Sequence, residues 1–186
     1  MAPQATTPMT YEEFIALPED GKRYELIEGE LVLNPAPVTK HQRVLRKLLT
    51  RLDRYFEERG GGEVFCTPYD VVLSDETIVE PDLLVVMSER ASIVREKRAH
   101  GAPNITIEIL SEGSRRRDEV TKRRLYEQHG VDEYWIVDPA IDVVKLYRRM
   151  GTGFEPAVEL NTESGGAITS PLLPGFALDV NFIFAE

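Results

Sequence analysis

Three consecutive stretches decide the fold: Asn104-Ile-Thr-Ile-Glu-Ile-Leu110, the polar run opening at Ser114-Arg-Arg-Arg-Asp118 and ending at His129, and Glu133-Tyr-Trp-Ile-Val137. The first and third are short apolar runs of strand length. Between them, Lys122, Leu125, Tyr126 and His129 follow the i, i+3, i+4, i+7 spacing of one helix face, and Gly130 closes the run. Strand, helix and strand in this order predict a βαβ crossover, with the helix running back along the strand it follows. In the first strand, Ile105, Ile107 and Ile109 take one face, while Glu108 shares the other with Thr106 and Leu110. The helix should cover that second face, and a covered carboxylate is costly unless it is paired or binds a metal. Lys122 lies eight residues past Ser114, roughly 12 Å back along a helix axis. At about 3.3 Å per strand residue, that distance returns it to the level of Glu108.

A second acid stands in similar surroundings. Ile78-Val-Glu-Pro-Asp-Leu-Leu-Val-Val86 reads as one strand that becomes apolar on both faces after Asp82, the pattern of a buried strand. Parity places Asp82 with Leu84 and Val86. Either acid alone reads as a strand-end residue ion-paired to an arginine. Two such acids in neighbouring strands, with a lysine aimed at them, read as a site. Two carboxylates plus waters suit Mg²⁺ or Mn²⁺ rather than Zn²⁺. With a lysine to orient a water or stabilise negative charge, the set fits hydrolysis of a phosphodiester.

The flanking sequence supplies the remaining elements. Thr10-x-x-Glu13 is a capping box for a helix over 10–17, and Arg23–Ile27 and Glu30–Asn34 around Gly29 form a hairpin. Thr39-x-x-Gln42 reads as a second capping box, ahead of a helix with Val44, Leu45, Leu48, Leu49, Leu52, Tyr55 and Phe56 on one stripe. Glu63–Leu73 reads as a strand, Ser88–His100 as a short polar helix, and Asp142–Tyr147 with Phe154–Leu160 as a further hairpin, followed by a loop and a proline-rich tail. The expected fold class is α/β, an α+β mixed sheet flanked by helices, in one domain over residues 10–186 after a flexible tail at 1–9. Tyr126, Tyr134 and Trp135 sit at core spacing and read as packing groups rather than a base-stacking platform.

Composition narrows the function. The 186 residues are 42% apolar and 29% charged, an ordinary globular balance. No apolar run reaches a membrane span, and the N-terminus lacks the features of a signal peptide. One cysteine and three scattered histidines argue against disulfides and a closed zinc site and point to a reducing, cytoplasmic setting. No glycine-rich phosphate loop is present. The net charge of −10 opposes a nonspecific nucleic-acid coat, yet Arg90–Arg124 holds ten Lys/Arg against five Asp/Glu, a local +5. Such a run is either a solvated, salt-bridged face or a contact for DNA. Arg115, Arg116 and Arg117 open a helix where cations oppose its dipole, which favours the DNA reading.

An ordered string of motifs carries a family resemblance: Tyr24-Glu25-Leu-Ile-Glu-Gly-Glu30, Asn34-Pro-Ala-Pro37, His41-Gln42, Glu80-Pro-Asp-Leu83, Ile107-Glu-Ile-Leu-Ser111, Asp118 to Lys122, Tyr134-Trp-Ile-Val-Asp-Pro139 and Leu172-Leu-Pro-Gly175. From about Met9 to the C-terminus the chain resembles the Uma-type restriction endonuclease family of the PD-(D/E)XK nuclease superfamily. The resemblance implies a restriction-endonuclease-like core with an N-terminal helix and β-hairpin, and Mg²⁺- or Mn²⁺-dependent DNA cleavage, often by a homodimer. It assigns Asp82, Glu108 and Glu25 to the metal and to catalysis, Glu25 being the extra acid supplied before the core. Leu110 stands where the superfamily's lysine is usual, and Lys122 on the next helix takes that role. His41 and Gln42 are possible accessory residues. One departure is Ser111-Glu-Gly-Ser114, where the family commonly has Ser-Pro-Ser. Two other readings compete: a nuclease fold that binds DNA or a partner without cutting, and a structural protein whose buried acids are ion-paired.

Overall fold

The computed structural model describes residues 7–185, so the first six residues of the expected tail lie outside the described residues. Helix α1 (Tyr11–Ile15) begins with the expected reciprocal capping box: Thr10 N donates to Glu13 Oε2 at 2.8 Å and Glu13 N to Thr10 Oγ1 at 3.4 Å. The hairpin of β1 (Arg23–Ile27) and β2 (Glu30–Asn34) turns at Glu28 and Gly29, with φ of 52° and 80°. Positive φ at both central residues matches the twist of the strands. A Cβ on Gly29 would fall 2.3 Å from Pro8, and Met9 N donates to Gly29 O at 3.0 Å, so this turn also holds the incoming chain.

Helix α2 (Thr39–Arg59) buries Val44, Leu45, Leu48, Leu52 and Phe56, as its spacing requires. Its first turn differs from expectation. Val38 is the N-cap and no side chain caps the helix, because the helix already includes Thr39.

The two long strands expected at 63–73 and 78–86 are each broken at the middle. The first divides into β3 (Gly62–Cys66) and β4 (Val71–Ser74), and the second into β5 (Thr77–Val79) and β6 (Leu83–Met87). Each break falls at a proline, Pro68 and Pro81, which cannot donate to a ladder. The chain there leaves one sheet and enters another. The two corners are joined: Thr67 Oγ1 donates to Glu80 Oε1 at 2.7 Å, and Thr67 N to Asp82 O at 3.0 Å.

Past a 3₁₀ turn at Ser88–Ile93 lies β7 (Ala99–His100), so the polar helix expected over 88–100 is shorter than its sequence suggested. Next come β8 (Ile105–Ile109), a π-helical turn (Arg117–Lys122), α3 (Arg123–His129) and β9 (Glu133–Asp138). The sheet continues through β10 (Val143–Met150), β11 (Gly153–Phe154) and β12 (Val158–Asn161). The C-terminal stretch, expected as loop and tail, forms the hairpin β13 (Ala167–Ser170) and β14 (Leu173–Asp179) and helix α4 (Val180–Phe184). Its apolar residues Ile168, Leu173, Phe176, Leu178, Val180 and Ile183 are buried against α2 and the large sheet. Burial of that surface outweighs the weak local signal of Pro171, Pro174 and Gly175.

The large mixed sheet runs β11-β10-β9-β8-β6-β3, with β12 also on β10, and the smaller sheet runs β2-β1-β5-β4-β7. Strands β8 and β9 are parallel, with Glu108 opposite Ile136, as the crossover predicts. One core lies between the large sheet, α2 and the C-terminal hairpin; a second joins the other face of that sheet to α3 and the small sheet. Trp135 belongs to the first, Tyr126 and Tyr134 to the second, and all three are fully buried. Among the described residues no helix is long and apolar enough to cross a membrane.

Candidate functional site

At the carboxyl end of β8 a cavity of about 50 Å³ opens beside Asp82, Glu108, His41, Asp118 and Lys122, room for an ion and a few waters. The end of a parallel strand is where an α/β crossover leaves such a crevice. Asp82 sits at the corner just before β6. Its Oδ2 accepts from Ile109 N at 2.8 Å, tying the corner to the end of β8. Glu108 projects from β8 and is 4% exposed. Its Oε1 accepts from Lys122 Nζ and from the Tyr126 hydroxyl, each at 2.8 Å.

Lys122 closes the π turn, a rare wide turn that recurs at functional sites. Its ammonium lies 2.7 Å from Glu25 Oε1, 2.8 Å from Glu108 Oε1 and 3.7 Å from Asp118 Oδ1. Burial alone would depress this ammonium, but Glu108, Glu25 and Asp118 together raise its pKa above the ordinary lysine value. It therefore stays charged at neutral pH. Glu108 shifts upward as well: burial is the main cause, Lys122 opposes it, and Asp118, Asp82 and Glu25 reinforce it. Asp118 is raised by burial against the pull of Lys122.

Glu25, from β1, is fully buried and lies behind the cavity rather than on its wall. Its Oε1 also accepts from Glu80 N at 2.7 Å. His41 is 6% exposed and brings Nε2 to 3.1 Å from Asp82, so the first turn of α2 forms part of the cavity wall. Gln42 is exposed and does not line the cavity. The structure thus brings Asp82, Glu108, Lys122 and His41 to one cavity, places Glu25 beneath it, and leaves Gln42 outside. Among the described residues, no group of three or more His, Cys, Asp or Glu side chains is arranged to hold a metal ion.

Sequence reasoning gave no site role to Arg23, Glu80 or Asp118, and read Arg117 only as a candidate DNA contact; all four line the cavity. Asp118 was within reach, since it precedes Lys122 by one helical step on the same buried stripe. Glu80 is 8% exposed and meets Arg23 at 3.4 Å, a pairing across 57 residues that no local pattern encodes. Arg117 donates to Asn34 Oδ1 at 2.7 Å and so links the Asn34–Pro37 segment to the wall. The altered loop is closed on itself, with Ser111 Oγ donating to Ser114 Oγ at 2.9 Å while Glu112 and Gly113 are exposed.

Six of the ten cations of the 90–124 run are paired with carboxylates, five of them with partners at least partly buried. Arg90, Arg98, Arg115, Arg117, Lys122 and Arg124 pair with Asp132, Asp70, Asp138, Glu25, Glu108 and Glu28 respectively. Two of the three arginines that open the crossover helix are among them.

No curated protein matches the chain. A solved structure with the same architecture is titled "Crystal structure of a putative nuclease belonging to DUF820 from Anabaena variabilis ATCC 29413 at 1.96 A resolution". It is 21% identical, its TM-score is 0.81, and the match covers 96% of this chain and 98% of that one. Its likeness establishes the fold that brings β8, the π turn and the corner before β6 to one point. The family profile described as "Uma2: Putative restriction endonuclease" matches residues 11–181, and the chain belongs to that family.

Proposed function

We propose that this protein is a divalent-metal-dependent endodeoxyribonuclease that hydrolyses phosphodiester bonds in DNA. The observation that carries the reading is the cavity at the end of β8, lined by Asp82, Glu108 and Lys122, whose ammonium the surrounding carboxylates favour in its charged form.

The charge balance fits a dication. Glu80, Asp82, Glu108 and Asp118 line the cavity and Glu25 lies behind it, against Arg23, Arg117 and Lys122. Burial and mutual repulsion raise the pKa values of Glu108 and Asp118, so these acids are crowded without a cation, and Mg²⁺ or Mn²⁺ would relieve that crowding. Asp82 and Glu108 would hold the ion, with waters completing the set, since Mg²⁺ commonly takes one or two carboxylates. When bound, the ion supplies charge neutralisation at the phosphodiester oxygens and an activated water.

The chain's own residues do the rest. Lys122, held charged by Glu108, Glu25 and Asp118, would orient the attacking water by donation or stabilise the anionic transition state. Glu25 from behind and Asp118 from the cavity wall hold it in place. In this proposal Glu25 acts on Lys122 rather than on the metal, because it lies outside the cavity lining and its Oε1 serves Lys122 and Glu80 N, while Oε2 faces Arg117. His41 holds the Asp82 carboxylate from the α2 side.

The test is cleavage of supercoiled and linear DNA with Mg²⁺, Mn²⁺ or EDTA, beside a folded Asp82→Ala variant. Metal-dependent nicking that disappears in the variant supports the reading. A second reading, a nuclease fold that binds without cutting, is favoured by the direct pairing of Glu108 with Lys122 and the lack of a ready three-ligand cluster among the described residues. Absence of cleavage in every metal and salt condition, with both proteins equally folded, would select it.

A further inference from the structure

We propose that Tyr126 is a positioning residue for the metal site: its hydroxyl joins Lys122 on Glu108 Oε1 and so leaves Glu108 Oε2 to face the divalent ion. The inference rests on the assignment of Glu108 to the metal under the proposed function. Glu108 Oε1 accepts from Lys122 Nζ and from the Tyr126 hydroxyl, each at 2.8 Å. A carboxylate oxygen offers about two lone-pair sites, so two donors fill it. Glu108 Oε2 accepts from no group among the described residues, yet it is not one of the buried oxygens left without a partner, as Glu25 Oε2 and Asp118 Oδ1 are. Glu108 lines the cavity, and the unengaged oxygen is the one open to it.

The two donors are not equivalent. Lys122 is shared, with its ammonium 2.7 Å from Glu25 and 3.7 Å from Asp118 as well as 2.8 Å from Glu108. In the proposed reaction it also serves the water or the transition state. The Tyr126 hydroxyl has Glu108 as its sole hydrogen-bond partner among the described residues. Its ring is fully buried and lies against Tyr134, with centroids 4.9 Å apart. A ring locked by packing holds its oxygen at a fixed point, which is what a metal ligand needs from its support. Lys122 and Tyr126 stand four residues apart, so one helix face brings both donors to β8.

A buried phenol needs an acceptor, but a backbone carbonyl would serve. Tyr134 is equally buried in the same core, and its hydroxyl donates to the backbone carbonyl of Asp118 at 3.1 Å. The two tyrosines therefore form a natural comparison. One hydroxyl holds a turn of backbone, and the other holds a carboxylate at the cavity.

The experiment is calorimetric titration of the full chain with Mn²⁺, without DNA, for wild type, Tyr126→Phe and Tyr134→Phe. Each variant keeps its ring and loses one buried oxygen, so urea midpoints should fall to a similar extent in both. Tyr126→Phe is expected to weaken Mn²⁺ binding about 10–100-fold, the usual cost of losing a group that orients a metal ligand. Tyr134→Phe should bind as wild type does. An unchanged Mn²⁺ affinity in Tyr126→Phe would overturn the positioning role while leaving the metal site standing. An equal loss in both variants would also overturn it, by showing a general loosening of the shared core. Absence of Mn²⁺ binding by wild type would remove the metal reading and this role with it.

Discussion

The Lys122 ammonium meets the Glu108 carboxylate at 2.8 Å, one from a π turn and the other from the strand that precedes it, with both side chains almost fully excluded from water. Glu25 and Asp118 complete the surroundings of the lysine. A buried charge set of this kind is sensitive to the loss of any member, because the others remain buried without a partner.

Replacing Lys122 by Met keeps its bulk but removes the cation in direct contact with Glu108. The expected loss is about 3–5 kcal/mol of stability at neutral pH. Urea unfolding should show the deficit shrinking at acid pH as the stranded carboxylates take up protons. An equal deficit at pH 5 and pH 8 would mean that packing, not charge, is what Lys122 provides.

Asp82 behaves differently. It is part exposed and its protein contacts are Ile109 N and His41. Asp82→Asn should cost only about 1 kcal/mol, the scale of one hydrogen bond. Calorimetric titration with Mn²⁺ should nevertheless show binding abolished. Retention of Mn²⁺ binding would remove Asp82 from the proposed metal set.

The raised Glu108 pKa sets a sign for the pH dependence. Its folded-state value lies above the ordinary 4.5, so in this region the folded state binds more protons than the unfolded state. Its contribution to stability is therefore greatest at or below the unfolded value and is lost as pH rises above it toward the folded value. Glu108→Gln keeps an acceptor for Lys122 and Tyr126 and removes the titration. Metal-free wild type should lose stability relative to Glu108→Gln as pH rises from 4.5, which urea midpoints at several pH values would read directly. Mg²⁺ should restore the wild type selectively.

The joined corners can be tested through Thr67, whose Oγ1 accepts from Arg23 at 2.8 Å and donates to Glu80 at 2.7 Å. Thr67→Val preserves shape and leaves the Glu80 carboxylate short of a partner. A loss of about 1–3 kcal/mol is expected, with Thr67→Ser close to wild type in chemical denaturation. If Ser and Val behave alike, the hydroxyl is not what joins the two sheets.

The sequence by itself determined the crossover at 104–137, the buried stripe of α2, and the placing of Lys122 level with Glu108. Each of these follows from strand alternation, helix periodicity or the axial rise of a helix, which are properties of local backbone geometry. Tertiary structure decided the rest. The pairing of β6 with β8 brought Asp82 to Glu108 and Lys122. The breaks at Pro68 and Pro81 separate two sheets whose pairing partners lie far away in the chain. Glu25 is buried under the cavity because its hairpin packs there, not because of its neighbours in sequence. The π turn, the closure by Asp118, and the pairing of cations in the 90–124 run depend on which carboxylates the fold carries to them. Charge in a sequence shows its sign, but only the folded chain settles whether a partner is already within reach.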